Sequence, residues 1–147
     1  MFKKIIVGFS VLVLVLFVVA ALQPASYTVQ RSISIKAPPE KIVPLIADFR
    51  NWPLWSPWHD IAAGRMEVVS QTPSKIDITL AFPGSTAAAS PMGFMVEPEG
   101  GGTTVRWSMT GETDFTGKIM NMMISMDRAL GPALENGLAR MKATAEK

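Results

Sequence analysis

Few residues in this chain could take part in acid–base or nucleophilic chemistry, and their spacing does not assemble them into a site. His59 is the single histidine, Tyr27 the single tyrosine, and there is no cysteine. His59 neighbours Asp60, but adjacent residues in a chain do not ordinarily point at each other. The pair therefore reads as a surface histidine at the end of an aromatic corner, not as a base held by an orienting carboxylate. The acidic pairs Glu97/Glu99 and Glu112/Asp114 fall in or beside turns, where carboxylates are commonly solvated. One histidine and scattered carboxylates fall short of the ligand count a metal ion needs. Gly100-Gly101-Gly102 reads as a flexible turn and not as a phosphate cradle, since no strand-to-helix transition follows and no Lys-Ser/Thr pair completes a P-loop. The missing cysteines exclude disulfides, thiolate zinc sites, a cysteine nucleophile and a lipoprotein-type acylated cysteine. No catalytic residue, metal or cofactor is assigned from the sequence.

Apolar recognition is better supplied. Three of the four tryptophans fall in Trp52-Pro53-Leu54-Trp55-Ser56-Pro57-Trp58, where the prolines forbid a regular helix or a central strand. This run is either a hydrophobic corner plugging one end of a core or an aromatic wall at the mouth of a pocket. Met120, Met122, Met123 and Met126 form a dense thioether cluster, whose flexibility suits an irregular or adaptable surface. The plainer reading places them in ordinary core.

The elements that must position these groups follow from periodicity. With 147 residues the chain has room for one domain and hardly for two. Ile5 to Leu22 runs eighteen residues without a charge, about 27 Å as a helix, close to the roughly 30 Å hydrocarbon core of a bilayer. It reads as a membrane anchor within residues 1–24. The rival is a cleaved signal peptide, given the basic start and the small Ala20 and Ala21. Lys3 and Lys4 precede the run and no basic residue follows until Arg31, so the N-terminus is expected in the cytoplasm. The rest is then extracytoplasmic, periplasmic or on the outer face, and secreted if the segment is cleaved. Those two lysines also account for the whole net charge of +2, 14 basic against 12 acidic residues, so the body lacks the electrostatic footprint of nucleic-acid binding.

Residues 25–147 then form the folded body. Tyr27 to Lys36 alternates as a half-buried strand, with Tyr27, Val29, Ile33 and Ile35 on one face. Pro39 opens a short helix through Ile46, and a second short turn runs from Asp48 to Trp52. Further strands are expected at Arg65 to Gln71, Lys75 to Phe82, Met92 to Glu97 and Thr103 to Thr110. Arg106 falls on the outward face of the last, opposite Val105, Trp107 and Met109. From Thr116 the period lengthens, and Ile119, Met123, Met126, Leu130, Leu134, Leu138 and Met141 draw one apolar stripe along a helix. Gly131-Pro132 is expected to kink or break it.

This order of strand, short helices, antiparallel strands and long C-terminal helix resembles the START-like superfamily, also called SRPBCC or polyketide cyclase/dehydrase-like. Local phrases carry the likeness: Arg31 to Ile42, Asn51 to Trp58, Val96 to Trp107, and Met126 to Pro132. They are similar to a small bacterial branch with one N-terminal membrane segment. The resemblance implies an α+β helix-grip fold, in which a curved antiparallel sheet wraps the long helix and the space between often holds an apolar ligand. Only six residues separate Trp58 from Arg65, where that family would run through about two further strands, so about five strands are expected instead of about seven. The cavity is then shallow, open or absent, and the new sheet edge favours pairing with another chain. The leading expectation is a membrane-tethered domain binding an apolar or amphipathic small molecule, a lipid included. Its candidate lining is Trp55, Trp58, Phe82, Phe94, Trp107, Met109, Met123 and Met126. The alternatives are a non-catalytic scaffold with a collapsed cavity and a cyclase- or dehydratase-like enzyme.

Overall fold

The alternating apolar residues become one face of a five-stranded antiparallel sheet in the computed structural model, which describes residues 1–58, 65–81 and 90–147. An N-terminal helix α1 (Phe2–Leu22) leads into strand β1 (Ser26–Ile35), helix α2 (Pro39–Ala47) and a short 3-10 helix (Phe49–Leu54). Strands β2 (Arg65–Gln71), β3 (Lys75–Ala81), β4 (Ser90–Glu99) and β5 (Gly102–Glu112) follow, then helices α3 (Phe115–Met123) and α4 (Met126–Ala145). The strand order is β1-β5-β4-β3-β2, and the five strands match the expected number. His59, Asp60 and Phe82 lie outside the described residues.

Each strand shows its period directly. Ile76, Ile78 and Leu80 of β3, Met92, Phe94 and Val96 of β4, and Val105, Trp107 and Met109 of β5 are buried on one face. The residues between them face outward, Arg106 among them, its guanidinium reaching Met95 Sδ at 3.8 Å. Leu134, Leu138, Met141 and Ala145 of α4 and Ile42, Leu45 and Ile46 of α2 cover the apolar face and complete a single core. Thr72 closes the turn from β2 to β3, its N–H and hydroxyl both donating to the Lys75 carbonyl. Between β4 and β5, Gly100 and Gly101 take φ of 55° and 83°, a region that glycine enters without steric cost.

The edges of the sheet differ. At the end of β1, α4 and the residue that follows it supply two partners: Lys142 donates to the Ser34 carbonyl (2.9 Å), and the N–H of Lys36, just past the strand, donates to Glu146 Oε1 (2.7 Å). Among the described residues nothing pairs with the outer edge of β2, where the register shifts between Val68 and Ser70 and Val69 is exposed.

The C-terminal helix departs from expectation in where it breaks. It runs from Met126 to Ala145 without interruption, Pro132 included, and the break falls earlier, at Ile124 and Ser125. Ser125 caps α4 by accepting from the Arg128 N–H, while the Asn121 side chain accepts from the Met126 N–H. A serine cap with Asp127 in the first turn is a strong start signal. Pro132 is exposed, so the Arg128 carbonyl that loses its helical partner can bond water. This early break divides the apolar stripe. Leu134, Leu138 and Met141 reach the core, with Met126 and Leu130 packed at its margin. Ile119, Met120, Met122 and Met123 stay exposed on α3, so three of the four clustered methionines are surface and not core.

Candidate functional site

The interior between sheet and α4 is dominated by aromatic rings. The prolines at 53 and 57 hold the tryptophan run in 3-10 and turn geometry, which carries Trp52 and Trp55 into the core. Each indole N–H finds a carbonyl at the end of α2: Trp52 Nε1 donates to Ile46 (2.9 Å) and Trp55 Nε1 to Leu45 (2.7 Å). Such bonds contribute about 1 kcal/mol each, and they fix the rings' orientation. Trp55 meets Trp107 edge-on with centroids 5.4 Å apart, Trp58 meets Trp107 at 5.1 Å, and Phe94 stacks on Trp107 at 5.1 Å. Edge and stacked pairs of this kind add about 0.5–1.5 kcal/mol beyond their buried area.

Trp107 is at the centre of this cluster and has no solvent exposure, yet its Nε1–H has no hydrogen-bond partner among the described residues. A buried donor left unpaired costs roughly 1–3 kcal/mol, which makes it the one polar group here that an incoming acceptor would satisfy. Above it, α4 comes close because residue 137 is glycine. An added Cβ would stand 2.8 Å from Trp107 Cζ3 and 3.0 Å from Pro57 Cδ.

One charge shares this face of the sheet. Arg31 follows the phase of Val29 and Ile33, and it stands opposite Trp107 in the register of β1 with β5. It extends to α4, donating to both oxygens of Asp127 (2.8 and 2.9 Å), to Glu135 (2.7 Å) and to its neighbour's carbonyl at Gln30 (2.8 Å). The hydrogen bond to Asp127, reinforced by that to Glu135, holds the guanidinium still further above its ordinary pKa, and the same bond lowers that of the Asp127 carboxyl. With four of its five N–H donors engaged, Arg31 ties α4 to β1. Its place follows from the alternation of β1, where position 31 falls between inward-facing residues, although its charge hides it among the apolar residues of that face.

The candidate lining residues therefore divide. Trp55, Phe94, Trp107 and Met109 are buried together on the sheet side, with Trp58 half-buried against Trp107. Met126 lies at the margin of the core, and Phe82 is outside the described residues. Met123 belongs to a different surface. It is 81% exposed and, with Ile119 and Met122, faces Val13, Leu16 and Phe17 of α1 across a groove of about 500 Å³. The rings of Phe17 and Phe115 meet beside that groove at 5.4 Å. Among the described residues no three His, Cys, Asp or Glu side chains gather into a metal-binding group.

No protein-family model matches the sequence, and no curated protein is similar to it. Solved structures do match. The di-domain ARO/CYC StfQ from the steffimycin biosynthetic pathway is 12% identical with a TM-score of 0.65, over 83% of this chain and 51% of that one. Protein CV1439 from Chromobacterium violaceum is 13% identical with a TM-score of 0.56, over 85% and 99%. The Aha1 dimer from Colwellia psychrerythraea is 16% identical with a TM-score of 0.59, over 82% and 96%. The chain spans about half the length of StfQ. Likeness at these identities is likeness of fold: the body shares the sheet-and-helix fold of these structures.

Proposed function

We propose that the chain is a membrane-anchored START-like domain that binds an apolar or amphipathic small molecule between its sheet and α4. The observation that carries this reading is the unpaired, fully buried indole N–H of Trp107. A ligand with an apolar body and one acceptor, such as an ester or ketone carbonyl, would satisfy that donor while its body packs on Phe94, Met109 and Trp58. Catalysis by a cyclase- or dehydratase-like route rests on fold likeness alone.

Anchoring is supported by α1, a helix of 21 residues long and apolar enough to cross a membrane and almost wholly unburied within the protein. The lysines at its start orient it with the N-terminus in the cytoplasm, leaving residues 25–147 on the periplasmic or outer face. Cleavage after the helix would instead release the domain. The open edge of β2 supports pairing of two copies of the chain.

Native mass spectrometry of the detergent-solubilised full chain after exposure to membrane lipid tests the binding. The expected result is a bound mass, held about 2- to 12-fold more weakly by Trp107→Phe, the equivalent of one hydrogen bond of about 0.5–1.5 kcal/mol. A chain that takes up nothing, in either form, defeats the reading. It would favour a second one, an interaction domain with a filled interior, which the direct ring contacts around Trp107 also support.

A further inference from the structure

Helix α3 has no buried residue, although Phe115, Ile119, Met120, Met122 and Met123 are large and apolar, and Ile124 just past its end is exposed as well. A soluble domain rarely leaves so contiguous an apolar surface in water. The chain itself indicates what covers it, because the surface continues without interruption onto α1 through the Phe17–Phe115 contact and the shared groove. At 1.5 Å per residue, Phe17 lies about 7.5 Å along the helix axis from Leu22, and Val13 about 13.5 Å from it. Those are depths within one leaflet of a hydrocarbon core roughly 30 Å thick. A helix packed against Phe17 cannot stay in water when α1 spans a bilayer.

Given the membrane anchoring proposed above, on which this rests, we infer that α3 is an interfacial helix. It lies in the leaflet that holds the C-terminal half of α1, its apolar side on the acyl chains, with a lipid chain filling the groove between the two helices. Its composition fits that depth. Lys118 is the sole charge within α3 and has a stem long enough to reach the headgroups. Asp114 caps the helix start by accepting from the Gly117 N–H, and Ser125 and Asn121 satisfy the backbone at the break before α4, so the polar groups gather at the ends. Helices of this kind bury their apolar side about 5–10 Å into the headgroup and acyl boundary, the depth of Phe17.

The absence of cysteine makes the test direct. Single-cysteine variants of the full chain, Leu14→Cys, Met120→Cys, Met122→Cys, Met123→Cys and Arg140→Cys, are spin-labelled and reconstituted in phosphatidylcholine/phosphatidylglycerol vesicles. Oxygen and nickel-chelate accessibilities are then compared by electron paramagnetic resonance. The expected ratio at the three methionine positions, Met122 reading the groove itself, shifts to the lipid value of Leu14 and away from the aqueous value of Arg140. Labels at 120 and 123 that match Arg140 while Leu14 reads lipid overturn the inference and leave the anchor standing. An aqueous Leu14 overturns the anchor and the inference together. Dipolar broadening at Met123 without oxygen access assigns the surface to a second copy of the chain and overturns it as well.

Discussion

The ring of Trp107 occupies the space that a side chain on Gly137 would need, with a Cβ there only 2.8 Å from Cζ3 of the indole. This contact sets how closely α4 can approach the sheet. Gly137→Ala gains about 1 kcal/mol of helix propensity but forces a buried ring or the helix to move, at about 1–3 kcal/mol. Thermal unfolding should show a net loss of up to about 2 kcal/mol and a Tm lowered by several degrees. Gly8→Ala in α1, where no atom lies within 4 Å of the added Cβ, should leave the Tm of the domain unchanged.

Trp107→Phe should leave the unliganded domain within about 1 kcal/mol of the parent, because loss of indole volume is offset by removal of a buried unpaired donor worth about 1–3 kcal/mol. Denaturant unfolding without ligand measures this. A large destabilisation would mean that the N–H is already satisfied and would weaken the case for a ligand acceptor.

The Arg31–Asp127 pair gives a pH dependence with a defined sign. Hydrogen bonding to Arg31 lowers the Asp127 pKa in the folded chain, so the contribution is present above the unfolded carboxylate value of about 4 and is lost as pH falls through the folded one. Asp127→Asn should be less stable than the parent near pH 7, the difference shrinking steadily in urea titrations taken below pH 4. A difference that does not vary with pH would show that the pair contributes by packing alone. Asp48, lowered in the same way by Arg50, adds to the acid limb of both proteins and so cancels in the comparison.

Pairing along β2 predicts a dimer of the full chain in detergent whose population falls when Val69→Lys places a charge on the open edge. Sedimentation velocity over a concentration series reads the shift. A dimer indifferent to Val69→Lys would place the interface elsewhere.

The sheet was legible because a half-buried strand writes its phase into alternate residues. Ile76-Asp77-Ile78 and Val105-Arg106-Trp107 state their inward faces without help from the rest of the chain, and the short stretch after Trp58 foretold the reduced strand count. The site was less legible, since periodicity reports that a residue is apolar and not what covers it. Met123 and Leu134 occupy the same stripe, yet one faces α1 across an open groove and the other is buried in the core. What separates them is the cap at Ser125, a local signal outweighed by the more conspicuous Gly131-Pro132. Trp107 was recognised as inward, but an unpaired indole proton is a property of its neighbours in space, invisible along the chain. Arg31 is not legible as inward because a charged residue is expected to face water, and the acidic pair Asp127 and Glu135 across on α4 makes its inward position tolerable.

The hydrogen bonds of Lys142 and Glu146 beside β1 bear on how further copies of the chain could add to its sheet. A sheet with two bare flanks could recruit neighbours indefinitely and grow into a fibre. Here Lys142 and Glu146 occupy the Ser34 carbonyl and the Lys36 N–H at one end of β1, so the two flanks are unequal, and a second copy meeting the sheet across a twofold axis finds the less obstructed approach along β2.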